Sequence, residues 1–261
     1  MRKKLFVILM LVAVAVFLSG CTEFDQPITA ESEGIWNRFF VYPLHFLIMY
    51  IANTIFNHGY GLAIIIVTIL LRVLILPLNI KQLKSSQAMQ MIQPELMALR
   101  EKYSSKDAVT QQKLQQETMA LFQKHGVNPL AGCLPILVQM PIFIALYHAI
   151  VRTEDIANYS FLWFELGSPD ILLAVITFAT TFIQQKIMMG TMPQNASANP
   201  QMQVMLYLLP ILIGVFALFF PAALALYWVV GNLFMIVQTY LVRRPMMKQF
   251  EEQQKTGGAK K

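Results

Sequence analysis

The sequence predicts an all-α membrane protein with five membrane-spanning helices. Of its 261 residues, 56% are hydrophobic and only 13% are charged, whereas a soluble domain carries about a quarter charged residues. Apolar stretches near the ~20 residues needed to cross a bilayer recur along the chain. Because a backbone in lipid must satisfy its own hydrogen bonds, such stretches form helices. The predicted spans are residues 61–80, 134–151, 171–189, 202–220 and 222–242.

Residues 1–20 have the features of a secretion signal, with basic residues at 2–4 followed by the apolar stretch 5–18. The stretch ends in Leu18-Ser19-Gly20-Cys21, which resembles the lipobox of bacterial lipoproteins and predicts cleavage before Cys21 and lipidation of its thiol. Ordinary cleavage, or an uncleaved anchor with an incidental cysteine, is the alternative. Residues 21–34 are polar and acidic and are predicted to form a lipidated extracellular tether.

Residues 35–58 are apolar enough to span, but Arg38, His45 and Asn53 fall on one helical face. The distribution of charge decides between a span and a surface helix. If this segment spanned, the lysine-rich residues 81–130 and the basic C-terminus would both be extracellular, against the preference of basic residues for the cytoplasm. We therefore expect an extracellular interfacial helix at 35–58. Span 61–80 then runs from outside to inside.

The same topology assigns the remaining segments. Residues 81–130 show two helical apolar patterns separated by a turn at 104–107, which predicts a cytoplasmic helical hairpin. Residues 152–170 form an extracellular loop, and residues 190–201 form a cytoplasmic loop. The tail, residues 243–261, is basic and cytoplasmic. Such a tail usually contacts anionic lipids, and binding to ribosomal RNA is the more specific alternative.

Arg72 lies near the middle of the first span and carries a permanent charge. A charge at this depth is unfavourable by ~3 kcal/mol on insertion scales and by 10 or more in simulations, so it indicates a functional site. None of the other apolar stretches contains an acidic residue that could neutralise it. The unpaired Arg72 therefore predicts a water-containing cavity within the membrane that can receive a negatively charged group.

Neutral polar residues also fall at helical spacing on several spans. The sets are Thr68, Arg72 and Asn79; Thr177, Thr181 and Gln184; Trp228, Asn232, Met235 and Thr239; and Gln139 in the second span. Residues of this kind often only hold membrane helices together, at about half a kcal/mol each. Arranged around an arginine without a counter-ion, they favour a polar groove.

The sequence carries no pattern typical of an enzyme or a metal site. The four histidines are scattered over different segments, and the two cysteines, Cys21 and Cys133, lie far apart. The chain lacks a phosphate-binding loop, a zinc-protease motif and a nucleophile elbow. We expect no catalytic residue, no metal and no cofactor.

Several stretches resemble the YidC/Oxa1/Alb3 family of membrane protein insertases. The most extended is residues 125–147, in which Pro129, Pro135 and Pro141 recur at six-residue steps. Others are Arg72 with Pro77-Leu78, the run 182–186, and Leu226-Tyr227-Trp228 with Asn232. The lipobox and the absence of a large external domain are similar to the Gram-positive bacterial branch.

The resemblance implies a bundle with a hydrophilic groove open to the cytoplasm and to lipid. Its implied substrates are nascent membrane proteins with short acidic external segments, inserted alone or alongside the Sec translocon. The hairpin would receive the substrate, and the tail would meet the ribosome or membrane lipids. Which of the two adjacent glutamines faces the groove stays open. The implied groove residues are Arg72, Thr68, Gln139, Thr181, Gln184, Gln185, Tyr227, Trp228 and Asn232.

Two other functions fit some of the same residues. A solute transporter could use Arg72 as an anion-binding site, although transporters usually contain internal repeats, and none relates the two halves of this chain. An intramembrane enzyme is the second alternative, and the catalytic spacing that it requires is missing.

Overall fold

The computed structural model describes residues 27–29, 31–105, 107–127, 134–190 and 200–248. The predicted signal peptide, the lipidation site Cys21, Cys133, most of the loop 190–201 and most of the basic tail lie outside these ranges. The chain divides into two compact units. The first comprises Met1–Arg72, Gln139–Gln184 and Leu208–Phe234, and the second comprises Val73–Val138, Gln185–Tyr207 and Met235–Lys261.

The described residues are mostly helical. A π-helical turn, Asn37–Val41, leads into the first α-helix, and a second, Thr239–Arg243, follows the last. The α-helices in chain order are α1 (Tyr42–Ile55), α2 (Tyr60–Met91), α3 (Gln93–Lys102), α4 (Ala108–Lys124), α5 (Leu134–Val151), α6 (Glu154–Ala157), α7 (Ile171–Met189), α8 (Pro200–Ala217) and α9 (Ala222–Gln238).

Three stretches of helix are long and apolar enough to cross a membrane: Tyr60–Ser85, Ile171–Met189 and Ala222–Lys248. They contain the first, third and fifth predicted spans. The second and fourth predicted spans fall on shorter apolar helices, Leu137–Val151 and Leu206–Ala217, within the part of the chain that the structure describes. The chain therefore has several apolar helices of a multi-pass membrane protein.

Helix α2 continues well beyond the predicted span 61–80 and ends only at Met91. The break is at Ile92, and Pro94 occupies the first turn of the next helix. Proline has no N–H to donate and its ring clashes with the carbonyl of the preceding turn, which favours a break here, although α2 accommodates Pro77 in its interior. The first arm of the predicted hairpin thus consists of the end of α2 followed by α3.

Helix α1 carries apolar side chains on its buried face and on its exposed face. One face buries Leu44, Ile48 and Ala52 in the core of the first unit. The other exposes Phe46 and Tyr50, whose rings stack with centroids 6.0 Å apart.

The segment between α6 and α7 is hydrogen-bonded to the start of α9. Strands β1 (Ser160–Phe161) and β2 (Phe164–Glu165) form a small antiparallel hairpin. The loop beyond it accepts two backbone hydrogen bonds from the start of α9: Ala222 N–H donates to Ser168 O at 2.8 Å, and Ala223 N–H donates to Leu166 O at 3.0 Å. These bonds satisfy N–H groups that have no partner within their own helix.

In the second unit, α3 and α4 form a helical hairpin. Its small core contains Ile92, Leu96, Leu121 and Val127. The carboxylate of Asp107 caps α4 by accepting the Thr110 N–H at 2.9 Å. Hydrogen bonds from the Ser105 hydroxyl and from Thr110 hold the pKa of Asp107 well below its usual range. The turn of the hairpin is therefore stabilised by the Asp107 cap at the start of α4.

A polar cluster around Arg72

Arg72 lies in α2, within the first unit, and is half-buried. Its Nε atom is sealed from solvent and has no hydrogen-bond partner. Among the residues that the structure describes, no carboxylate forms a salt bridge with it. The guanidinium instead lies over the ring of Tyr227 in α9, with Cζ 5.6 Å from the ring centroid. A cation at this distance is attracted by the ring's negative face.

Tyr227 is held in place by a residue of a third helix. The Gln139 side-chain amide, from α5, donates to the Tyr227 hydroxyl oxygen at 2.7 Å. Tyr227 is 2% exposed, so its ring has little freedom to move. The three side chains form a chain of contacts from amide to phenol to guanidinium, which fixes the surface on which Arg72 rests.

Gly231 provides the space that the guanidinium occupies. It follows Tyr227 by one helical turn, on the same face of α9. A Cβ atom at this position would lie 2.5 Å from Nη2 of Arg72 and 3.2 Å from Cζ. Sequence reasoning did not identify Gly231, although its four-residue spacing from Tyr227 was the available signal.

A second polar group joins α7 to α9. The Asn232 side-chain amide donates to Thr181 Oγ1 at 2.8 Å and to Thr180 Oγ1 at 3.4 Å. The Thr181 hydroxyl in turn donates to the Thr177 carbonyl at 2.7 Å, so its oxygen remains free to accept from Asn232. Thr180 is a further residue that the sequence analysis did not single out.

The remaining predicted groove residues are more enclosed. Thr68 is 1% exposed, and its hydroxyl donates to Ile64 O one turn earlier at 2.7 Å. The hydroxyl proton of Thr68 is therefore satisfied within its own helix. Trp228 stacks on Phe143 with ring centroids 5.0 Å apart. Thr68 thus bonds within α2, and Trp228 packs α9 against α5.

Gln184 and Gln185 are both buried, with 9% and 4% exposure. They fall on opposite sides of the division of the chain, Gln184 in the first unit and Gln185 in the second. Burial thus does not show which of the two glutamines faces the predicted groove, and this question stays open.

The cluster can act electrostatically. A half-buried guanidinium is always charged, and in reduced dielectric its field is stronger than in water. Within the described ranges, no group of three histidine, cysteine, aspartate or glutamate residues is placed to hold a metal ion. The geometry is suited to the attraction of an anionic group.

Comparison with known proteins identifies relatives over nearly the whole chain. The family model described as 60Kd inner membrane protein matches residues 50–250. The membrane protein insertase YidC of Oceanobacillus iheyensis is 63% identical over 250 residues, covering 95% of this chain and 99% of the relative. The membrane protein insertase MisCA of Bacillus subtilis is 58% identical over 263 residues, covering 100% of this chain and 99% of the relative.

A solved structure is similar as well. It is described as an active YidC insertase crystal structure with the first transmembrane domain resolved. The TM-score is 0.61 at 25% sequence identity, and the match covers 80% of this chain. It covers 47% of the solved chain, so this protein spans about half the length of that insertase.

Proposed function

The chain belongs to the 60Kd inner membrane protein family of membrane protein insertases, and from this membership we propose that Arg72 attracts the acidic external segments of client polypeptides during insertion. The proposal rests on the burial of Arg72 and on its lack of a counter-charge. It is half-buried, rests on Tyr227, and forms no salt bridge with any described carboxylate. A client carboxylate is the counter-charge that this position lacks.

The magnitudes are sufficient for such a role. A carboxylate at the centre of a membrane is unfavourable by ~2.5–3.5 kcal/mol on insertion scales. A guanidinium 4 Å away offsets about 4 kcal/mol at an effective dielectric near 20. Arg72 therefore lowers the barrier for an acidic segment without any energy-consuming chemistry. Once that segment has crossed, the client's own apolar stretch partitions into lipid.

The proposed topology has five spans around a groove that opens to the cytoplasm. The short apolar helices Leu137–Val151 and Leu206–Ala217 are the second and fourth spans. The helices that contain them, α5 and α8, have 18 residues each and so extend about 27 Å, close to the hydrocarbon thickness. The mature N-terminus, lipidated at Cys21, lies outside, and the C-terminus is cytoplasmic.

The clients are nascent membrane proteins. Alone or beside the Sec translocon, the insertase receives them at the cytoplasmic hairpin. The basic tail contacts the ribosome or anionic lipids. The hairpin exposes Met97 and Met119, whose flexible thioethers suit contact with varied apolar segments.

The experiment is insertion of a short single-span client into proteoliposomes, with its external residues either acidic or neutralised. We expect Arg72→Ala to abolish insertion of the acidic client, Arg72→Lys to retain much of it, and the neutral client to be unaffected by either. Normal insertion of both clients by Arg72→Ala would show that Arg72 is structural. A flux of small anions that depends on Arg72 would instead support a transporter.

A further inference from the structure

A second arginine, Arg243, is buried in the π-helical turn that follows α9. It belongs to the second unit and is only 7% exposed. Its Nε atom is sealed from solvent without a hydrogen-bond partner. In the described part of the chain, no carboxylate forms a salt bridge with it. A guanidinium remains charged at every physiological pH, and a buried charge without a counter-charge is unfavourable. An anion from outside the described chain is therefore expected.

Arg243 lies on a buried face of the helix. Thr239, Arg243 and Met247 follow one another at four-residue steps, and all three are buried. The turn Thr239–Arg243 is π-helical, and the Arg244 N–H closes it by donating to Thr239 O. π-Helical turns occur frequently at functional sites.

The neighbouring Arg244 shows the contrast. Arg244 is exposed, and its guanidinium lies 4.1 Å from the ring centroid of Tyr240. This is the ordinary position of a cation at the end of a span, directed outward to water and headgroups. The chain thus presents one arginine outward and buries the adjacent one, although both have the same charge.

The depth of Arg243 indicates the chemistry of its ligand. Helix α9 begins at Ala222, and twenty-one residues of helix rise about 30 Å, the thickness of the hydrocarbon layer. With Ala222 at the opposite edge of the span, Arg243 lies where the hydrocarbon meets the headgroups. Lipid phosphates occupy this level, and guanidinium pairs with phosphate through two parallel hydrogen bonds.

We infer that Arg243 binds the phosphate of an anionic lipid at the membrane surface, in the π-helical turn that follows α9. The site lies in the second unit and does not depend on the role proposed for Arg72. It would hold a lipid during function rather than a client.

The test compares lipid retained by the full-length protein after extraction from membranes that contain phosphatidylglycerol and phosphatidylcholine, measured by native mass spectrometry. We expect Arg243→Gln to reduce retained phosphatidylglycerol about tenfold, the loss typical of one charge-assisted contact. The matched control, Arg244→Gln, removes the same charge from the exposed neighbour and should change retention less than about twofold. Equal losses from the two variants would overturn the inference.

Wild-type protein provides a second readout that does not depend on a variant folding. Phosphatidylglycerol should raise the melting temperature of the delipidated protein, whereas phosphatidylcholine should not. No preference between the two headgroups would overturn the inference. A rise in melting temperature with inorganic phosphate, and none with phosphatidylglycerol, would assign the site to a free anion. Displacement of bound lipid by an acidic client peptide would assign it to the client. Either result would also overturn the lipid site.

Discussion

Replacing Gly231 by alanine tests whether the position of Arg72 determines how strongly it attracts an acidic client. The added Cβ would lie 2.5 Å from Nη2 and 3.2 Å from Cζ of Arg72. Ordinary contacts between such atoms are about 3.5 Å, so the guanidinium must move by roughly 1 Å. At an effective dielectric near 20, moving a charge pair from 4 Å to 5 Å weakens its attraction by about 0.8 kcal/mol, which is about fourfold in rate.

The assay is the rate of insertion into proteoliposomes, measured by protease protection, for clients with acidic or neutralised external segments. Gly231→Ala should slow the acidic client about fourfold and leave the neutral client unchanged. Gly190→Ala is a suitable control, because a Cβ there would lie 3.5 Å from the nearest atom, an ordinary contact. Alanine also has the higher helix propensity, by up to ~1 kcal/mol, so the variant should not melt earlier than wild type.

A double-mutant cycle gives the result that would refute this reasoning. If Gly231 acts only through the guanidinium, Gly231→Ala should have no effect on insertion in an Arg72→Ala background. Slower insertion in that background, or equal slowing of both clients, would mean that Gly231 matters for helix packing. The electrostatic account of Gly231 would then be wrong.

Two further predictions follow from hydrogen bonds seen in the structure. Tyr227→Phe removes the oxygen that accepts from Gln139 at 2.7 Å but keeps the ring under Arg72. We expect thermal melting to show a stability loss of about 1 kcal/mol, while the preference for acidic clients is kept. Loss of that preference would contradict the role assigned to the ring. Asp107→Ala should speed amide exchange at Thr110, because the capping carboxylate is gone. Since the pKa of Asp107 is lowered in the folded state, its contribution to the stability of the fold is complete above the usual aspartate pKa and is lost as pH falls through the lower folded value. Asp107→Asn should retain the cap without this acid dependence. The same acid dependence in that variant would exclude Asp107 as its source.

The central residue of the site was predictable because its signal is local. Arg72 is a charge in an apolar stretch, and the absence of acidic residues from the other apolar stretches can be read directly from the sequence. The pattern of the hairpin is local too. A period of three to four residues with a turn at 104–107 predicts α3 and α4, whose facing residues form the small core.

The contacts of the site were not predictable, because they join residues distant in the chain. Gln139 and Tyr227 are 88 residues apart. Nothing in the helical period of either span specifies that the amide of one meets the phenol of the other. Gly231 and Thr180 were missed for the same reason, since a glycine or threonine in a membrane helix gains a role only from what packs against it.

The sequence by itself determined the class of the protein, the apolar helices and the unpaired charge, because hydrophobicity and charge are properties of single residues summed over a short stretch. The tertiary structure decided what surrounds that charge: a tyrosine ring beneath it, a glycine beside it, and no described carboxylate within reach. It also decided that Arg243 is buried while the adjacent Arg244 is exposed, since the packing around a helix selects which of its faces is enclosed. Packing between helices fixes these directions, and packing depends on residues that lie far apart in the chain.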